Sequence, residues 1–261
     1  MNEERDSELL WLTIREEVRE FSEREPALAS YYYANILSHP SLASALSFHL
    51  ATRLGCDSVP EMTLSEVFTS ALNDEPAILE AVVADIYAVY ERDPACNHYV
   101  LPVLFFKGFQ AVQAYRFAHW LWRKERRSLA LFLQNRISTT LDVDIHPAAQ
   151  LGKGIMIDHA TGVVIGETAR IGDNVSLLHG VTLGGVGTGH QVRHPQVGDG
   201  VLISVGAKLL GNITIGEGAK IAGGSLVVND VPPHVTVAGV PAKIMGKPFH
   251  YAPSLDMDQG V

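Results

Sequence analysis

Between residues 145 and 246 an aliphatic residue, often with a small residue after it, returns about every six positions. The series is Ile145, Leu151, Ile157, Ile165, Ile171, Leu177, Leu183, then Val197, Ile203, Leu209, Ile215, Ile221, Val227. Two breaks shift it, from Ile157 to Ile165 and from Leu183 to Val197. A helix repeats every 3.6 residues and a half-buried strand every two, so neither fits. A fixed hexapeptide period belongs to a parallel β-helix. Each unit is a short strand plus a corner. The aliphatic side chain points inward, and a small residue follows where the chain bends. Three units close a triangular coil, and coils stack at about 4.8 Å.

Residues 1–141 carry a different period. Leu9, Leu10, Leu12, Ile14, Val18 and Phe21 share a helix face. Pro26 and Pro40 bracket a second helix, and Ser41 caps a third that Gly55 stops. Helical pattern returns at 64–72 and 76–90, then over one long stretch from Pro102 to Lys124 and again over 128–140. The chain therefore reads as α+β: an all-α helical domain over residues 1–141, a left-handed parallel β-helix over 142–246, and a tail over 247–261. The break at 184–195, with four glycines and two histidines, reads as a loop protruding from the coils. The tail reads as mobile. The apolar helix faces are numerous for the size of the N-terminal half, so some are expected to pack against another subunit.

The formal net charge of −9 speaks against non-specific nucleic-acid binding. No apolar run is long enough to span a membrane. The start, Met-Asn-Glu-Glu-Arg-Asp, lacks the parts of a signal peptide, so a cytoplasmic location is expected. Cys56 and Cys96 then read as small reduced residues, and neither has metal-ligand spacing around it.

Chemistry-bearing residues cluster at the breaks. Asp158-His159-Ala160-Thr161-Gly162 follows the first ladder residues, with Asp142-Val143-Asp144-Ile145-His146 nearly one coil earlier. A neutral imidazole takes up a proton near pH 7, and a carboxylate on its other nitrogen fixes the tautomer. Asp144 and His159 are expected within reach of each other across adjacent coils, although a bare Asp–His pair is equally a structural corner. Arg193-His194 stands at the base of the loop.

Taken together, several motifs resemble the bacterial serine acetyltransferases, a branch of the hexapeptide acyltransferases. They are Arg92-Asp93-Pro94-Ala95, Lys107-Gly108-Phe109-Gln110-Ala111, Asp144-Ile145-His146-Pro147-Ala148-Ala149, Asp158-His159-Ala160-Thr161-Gly162, Val181-Thr182-Leu183-Gly184-Gly185, Arg193-His194-Pro195 and Ala238-Gly239-Val240-Pro241-Ala242. The likeness runs from about residue 5 to residue 259. It implies transfer of the acetyl group of acetyl-CoA to the hydroxyl of L-serine, giving O-acetyl-L-serine for cysteine synthesis, with no metal. His159 resembles the general base and Asp144 its orienting partner. Asp93 and Asp158 match contacts to the amino acid. Arg193 matches a contact to its carboxylate, and His194 one to the carboxylate or the developing oxyanion. For the coenzyme, Gly185, Val205 and Gly223 match backbone positions along the pantetheine arm, and Lys220 and Lys243 basic positions near the phosphates. Val205 departs from the small residue common at its place. His190, in the loop, is a further candidate to brush the coenzyme. The resemblance also implies a homotrimer with sites between subunits, paired into a hexamer, and inhibition by L-cysteine. Relatives bind cysteine synthase through a tail ending in Ile; here the chain ends in Val261, which puts that partner in doubt.

Three other readings stay open. One is a hexapeptide acyltransferase for a different hydroxyl acceptor. Another is a zinc carbonic anhydrase on the same coil, which needs three converging histidines. The last is a non-catalytic scaffold for cysteine synthase.

Overall fold

The period changes where helix hands over to coil, and Asp142 makes that joint with a left-handed φ of 59°. An Asp tolerates this conformation because its short polar side chain can bond locally. The computed structural model describes residues 3–187, 191–248 and 252–260, with side chains from residue 7 onward. His190 and Val261 lie outside the described residues. Before the joint come α1 (Glu3–Arg24), α2 (Ala29–Tyr32), α3 (Leu42–Leu54), α4 (Glu61–Asp74), α5 (Ala77–Arg92), α6 (Val100–Phe105), α7 (Lys107–Arg123) and α8 (Arg127–Leu141). Ser41 caps α3 through its hydroxyl, which accepts from Ser44 N at 3.3 Å, and Gly55 ends it. The expected single helix over 102–124 is two helices. Phe106 is extended (φ −92°, ψ 105°), and this bend seats Gly108 of α7 against the first coil.

After the joint come β1 (Val143–Ile145), β2 (Gln150–Leu151), β3 (Met156–Ile157), β4 (Val163–Ile165), β5 (Arg170–Ile171), β6 (Ser176–Leu177), β7 (Thr182–Gly184), β8 (Gln196–Val197), β9 (Leu202–Ile203), β10 (Lys208–Leu210), β11 (Thr214–Ile215), β12 (Lys220–Ile221), β13 (Leu226–Val227), β14 (Thr236–Gly239) and β15 (Ala242–Gly246). They form three parallel sheets, the faces of a prism. The first face is β1-β4-β7-β10-β13 and the second β2-β5-β8-β11. The third is β3-β6-β9-β12-β14, closed by antiparallel β15.

The hexapeptide series becomes three inward ladders. Ile145, Ile165, Leu183, Leu209 and Val227 lie over one another on the first face. Leu151, Ile171, Val197 and Ile215 do so on the second. Ile157, Leu177, Ile203, Ile221 and Val237 do so on the third. All are buried except Leu151, which is half-buried. Each fully buried rung contributes about 1.5–3 kcal/mol by leaving water, which is why so short a strand suffices per face. Leu209 stays in register with Leu183 although the interval from Leu183 to Val197 exceeds six residues.

The helices are bolted to the prism by buried polar contacts. Asp85 of α5 accepts from Ile155 N at 2.7 Å, from Gln113 Nε2 at 2.9 Å and from Arg116 Nη2 at 2.6 Å. Arg116 also donates to Gly152 O. Arg92, the last residue of α5, is buried and donates to Gly154 O, Ser176 Oγ and Asn174 Oδ1. Asp85 and Arg116 pair with each other, the condition under which buried ions are tolerated, whereas Arg92 is met by neutral acceptors and its Nε has no hydrogen-bond partner among the described residues. The tail differs from expectation: Pro253–Asp256 forms a short helix, α9, against α5 and β9, with Pro253 and Ser254 buried. No helix among the described residues is long and apolar enough to cross a membrane.

Within the helices, His49 bonds Asn35 Oδ1 through Nδ1 and faces Gln110 Nε2 with Nε2. Burial, with Arg53 assisting, lowers its pKa to about 4. A base whose folded pKa is depressed keeps its full stability above the unfolded value of about 6.5 and loses it as pH falls toward 4. The loss across that window amounts to about 3 kcal/mol at 1.36 kcal/mol per unit. Chemical denaturation from pH 7 to 4 checks this: His49→Gln should lose less stability over the window than wild type, and equal losses would contradict it.

Candidate active site

Two corners of the prism carry the titratable side chains. Between the third and first faces, residues two beyond the ladder stack as His159, His179, Val205 and Gly223. His159 and Ala160 both have left-handed φ, 54° and 61°, followed by Gly162 at 72°. Two such non-glycine residues cost of order 1–3 kcal/mol each and persist only where surroundings hold them. Gly162 N donates to Asp142 O, and Thr161 O accepts from Gly180 N, which pins the turn. The turn pushes the His159 side chain outward, 74% exposed, with Asp158 Oδ2 3.7 Å from Nε2. His179 meets it edge-on at 5.7 Å between ring centroids.

A cavity of about 310 Å³ opens beside this corner, lined by Asp93, Phe106, Lys107, Gly108, Asp158 and His159 among others. Asp93 caps α5 and turns its carboxylate onto Ala95 N, so a structural role and an exposed oxygen coexist in one side chain. Lys107 donates to Thr161 Oγ1 at 2.7 Å and brings a cation to the mouth. Its motif stands out in the sequence, but only the docking of α7 shows that it reaches the histidine's turn. Gly108 makes that docking feasible: a Cβ there would sit 2.0 Å from Ile157 O.

Between the first and second faces lie Glu167, Thr168, Arg193 and His194. Arg193 Nη2 donates to Glu167 Oε2 at 2.5 Å. That bond holds the Glu167 carboxyl below its usual range. Burial first, then Arg193, lowers the pKa of His194, against a pull upward from Glu167. Glu167 and Thr168 are invisible in the sequence pattern, because about 26 residues separate them from Arg193 and His194.

Asp144 does not join His159 within the chain. Its register partner is Val164, and Oδ1 accepts from Gln134 Nε2 of α8 at 2.7 Å. The extra residues at the first break carry His159 onto the corner, while Asp144 faces outward from the middle of the first face. Lys220 is not a free cation either. It is buried; Nζ donates to Gly260 O and lies 3.5 Å from Asp258 Oδ2, so the tail takes it. Lys243 is exposed on β15. Gly185 backs onto the His194 ring, where a Cβ would fall 2.8 Å from Nε2. Val205 fits because Gly223 has no side chain: Val205 Cγ1 lies 3.2 Å from where a Cβ would be. Among the described residues no group of three or more His, Cys, Asp or Glu is placed to hold a metal ion.

A hexapeptide prism with an exposed imidazole at a strained corner, flanked by carboxylates, defines an acyltransferase of the β-helix class. Residues 10–114 match the family described as "Serine acetyltransferase, N-terminal". The serine acetyltransferase of Salmonella typhimurium is 53% identical over 97% of this chain and 92% of its own. The crystal structure of the Vibrio cholerae enzyme superposes with a TM-score of 0.96 at 54% identity, covering 97% of this chain and 98% of that one. A serine acetyltransferase in complex with cysteine gives 0.95 at 49%, over 97% and 98%. Two further solved structures were captured with ligands. The Neisseria gonorrhoeae enzyme with serine gives 0.88 at 54%, over 90% and 96%. The Brucella abortus enzyme with coenzyme A gives 0.90 at 49%, over 91% and 95%. The chain belongs to the serine acetyltransferase family. Its reaction is transfer of the acetyl group of acetyl-CoA to the hydroxyl of L-serine, with release of CoA.

Proposed function

We propose that the complete site is assembled from two copies of the chain, one giving the corner with Asp93, Asp158 and His159, the other the corner with Arg193 and His194. The observation that carries this is their separation: the two sets sit on different corners of one prism, each half of what the reaction needs. A closed three-fold ring of prisms sets unlike corners side by side. Exposed Leu9, Leu12 and Tyr33 on the helical part then suit pairing of two trimers. In that site Asp93 and Asp158 hold the serine ammonium, and Arg193 the carboxylate through its remaining donors. His159 removes the hydroxyl proton as Oγ attacks the thioester carbonyl. The oxyanion is met by His194, the C–S bond breaks, and the thiolate takes the proton back from His159. Asp144 orients an imidazole only by turning from Gln134 toward a neighbouring chain. The pantetheine arm follows the corner groove past Val205 and Gly223, near Gly185, with Lys243 toward the phosphates.

L-Cysteine presents the same ammonium and carboxylate, so it competes at the serine contacts; the cysteine-bound relative supports this. A cysteine synthase that grips the tail must displace the contacts of Ser254, Asp258 and Gly260. Release of free thiol from acetyl-CoA on adding serine tests the assignment. Asp93→Asn should raise the KM for serine about 10-fold or more, since a bond to a charged group is worth 1.5–3 kcal/mol, and leave that for acetyl-CoA alone. An unchanged KM for serine would contradict it.

A further inference from the structure

We infer that Thr168 is a positioning residue that holds His194 as its Nε2–H tautomer, so that this donor is the one offered to the substrate. The inference rests on the reading above, in which His194 meets the substrate. Its own support is a local accounting of protons. The backbone N–H of Thr168 donates to His194 Nδ1 at 3.2 Å. A backbone N–H is only ever a donor, so Nδ1 must present a lone pair. The Thr168 hydroxyl lies 2.8 Å from the same nitrogen. Its oxygen already accepts the backbone N–H groups of Arg193 at 3.0 Å and His194 at 3.2 Å. With both lone pairs engaged, its proton goes to Nδ1. Gln196 Nε2 ties the two backbones together by donating to Thr168 O and His194 O, each at 2.9 Å. The neutral ring therefore carries its hydrogen on Nε2.

The other end of the ring is left free. His194 is 6% exposed, yet Nε2 has no hydrogen-bond partner among the described residues. It rests over two glycines, where a Cβ on Gly166 would lie 2.0 Å away and one on Gly185 2.8 Å. A donor held in place and unspent has the properties of a preorganised contact for developing negative charge. The charged and titratable groups facing the ring are Arg193, Glu167 and His146; burial and then Arg193 lower its pKa, against Glu167. A second histidine near by shows the same local rule: His146 Nδ1 accepts from Ala148 N at 3.0 Å.

The test uses the full-length enzyme with serine and acetyl-CoA, and 15N-histidine magic-angle-spinning spectra to read the tautomer. Thr168→Val should lower kcat about 10-fold or more with the KM for acetyl-CoA unchanged. It should also weaken the Nε2–H signature of His194, while Thr168→Ser retains both. His194→Gln, whose amide reaches the Nε2 position, should keep more activity than His194→Asn. Thr168→Val with wild-type kcat, or a wild-type His194 protonated on Nδ1, would overturn the inference. If His194→Ala itself keeps full activity, the reading of His194 as a substrate contact fails with it. If His194→Ala is impaired and Thr168→Val is not, only the role of Thr168 fails.

Discussion

His159→Ala should lower kcat by roughly 10²- to 10⁴-fold, the range a general base contributes, and leave the fold unharmed. The two halves of that expectation come from different facts. The side chain is mostly in solvent, with Asp158 and His179 beside it, so little packing is lost. The serine hydroxyl, in contrast, loses the most exposed imidazole of this corner, since the neighbouring His179 is half-buried. Saturating steady-state rates and a thermal melt check the two halves together. A loss under 10-fold would remove His159 from the role, and a large drop in Tm would mean that the turn, not the proton, was affected. The turn at φ 54° is held by backbone bonds around Gly162 and Gly180, which an alanine keeps.

Gly108→Ala is expected to be among the most damaging single methyl groups at the described residues. The new Cβ would stand 2.0 Å from Ile157 O and 3.1 Å from Ala160 Cβ, and neither a backbone carbonyl nor the strained turn can step aside cheaply. Helix α7 must lift from the coil instead, at a cost of about 1–3 kcal/mol for overpacking. Phe106 and Lys107, which line the cavity, and the ledge next to His159 move with it. Both Tm and kcat/KM for serine should fall. Loss of stability with normal serine kinetics would show that α7 does not shape the site.

Much of the architecture was legible because one physical rule, a buried aliphatic every sixth residue, governs it. The inward rungs follow from that rule, and helix gives way to coil where its period begins. The site was legible only in part. Asp93, Asp158, His159, Arg193 and His194 lie in motifs, and the fold does put the first three around one cavity. The pairing of Asp144 with His159 failed inside the chain, because two added residues in the first coil outweigh the regular spacing used to set them together. Lys220 looked like a free cation because nothing in a periodic pattern announces that a tail will fold back over β12. The break at Phe106 was hidden for a similar reason: its apolar helical pattern runs straight through, and only the close approach at Gly108 demands the bend. Glu167 and Thr168 gain meaning solely from contacts about 26 residues away, which no local window of sequence contains.

The central claim, that each site takes one corner from each of two chains, has a direct test in mixed oligomers. His159→Ala and Arg193→Ala are each expected to be nearly inactive alone. Unfolded together in equal amounts and refolded, random assembly gives about one quarter of the interfaces both an intact His159 and an intact Arg193, if sites lie between neighbours in a closed ring. The account predicts recovery of activity to about that level, absent when the two variants are refolded separately and then mixed. A refolded mixture no more active than its parents would place both corners of a site in the same chain and contradict it.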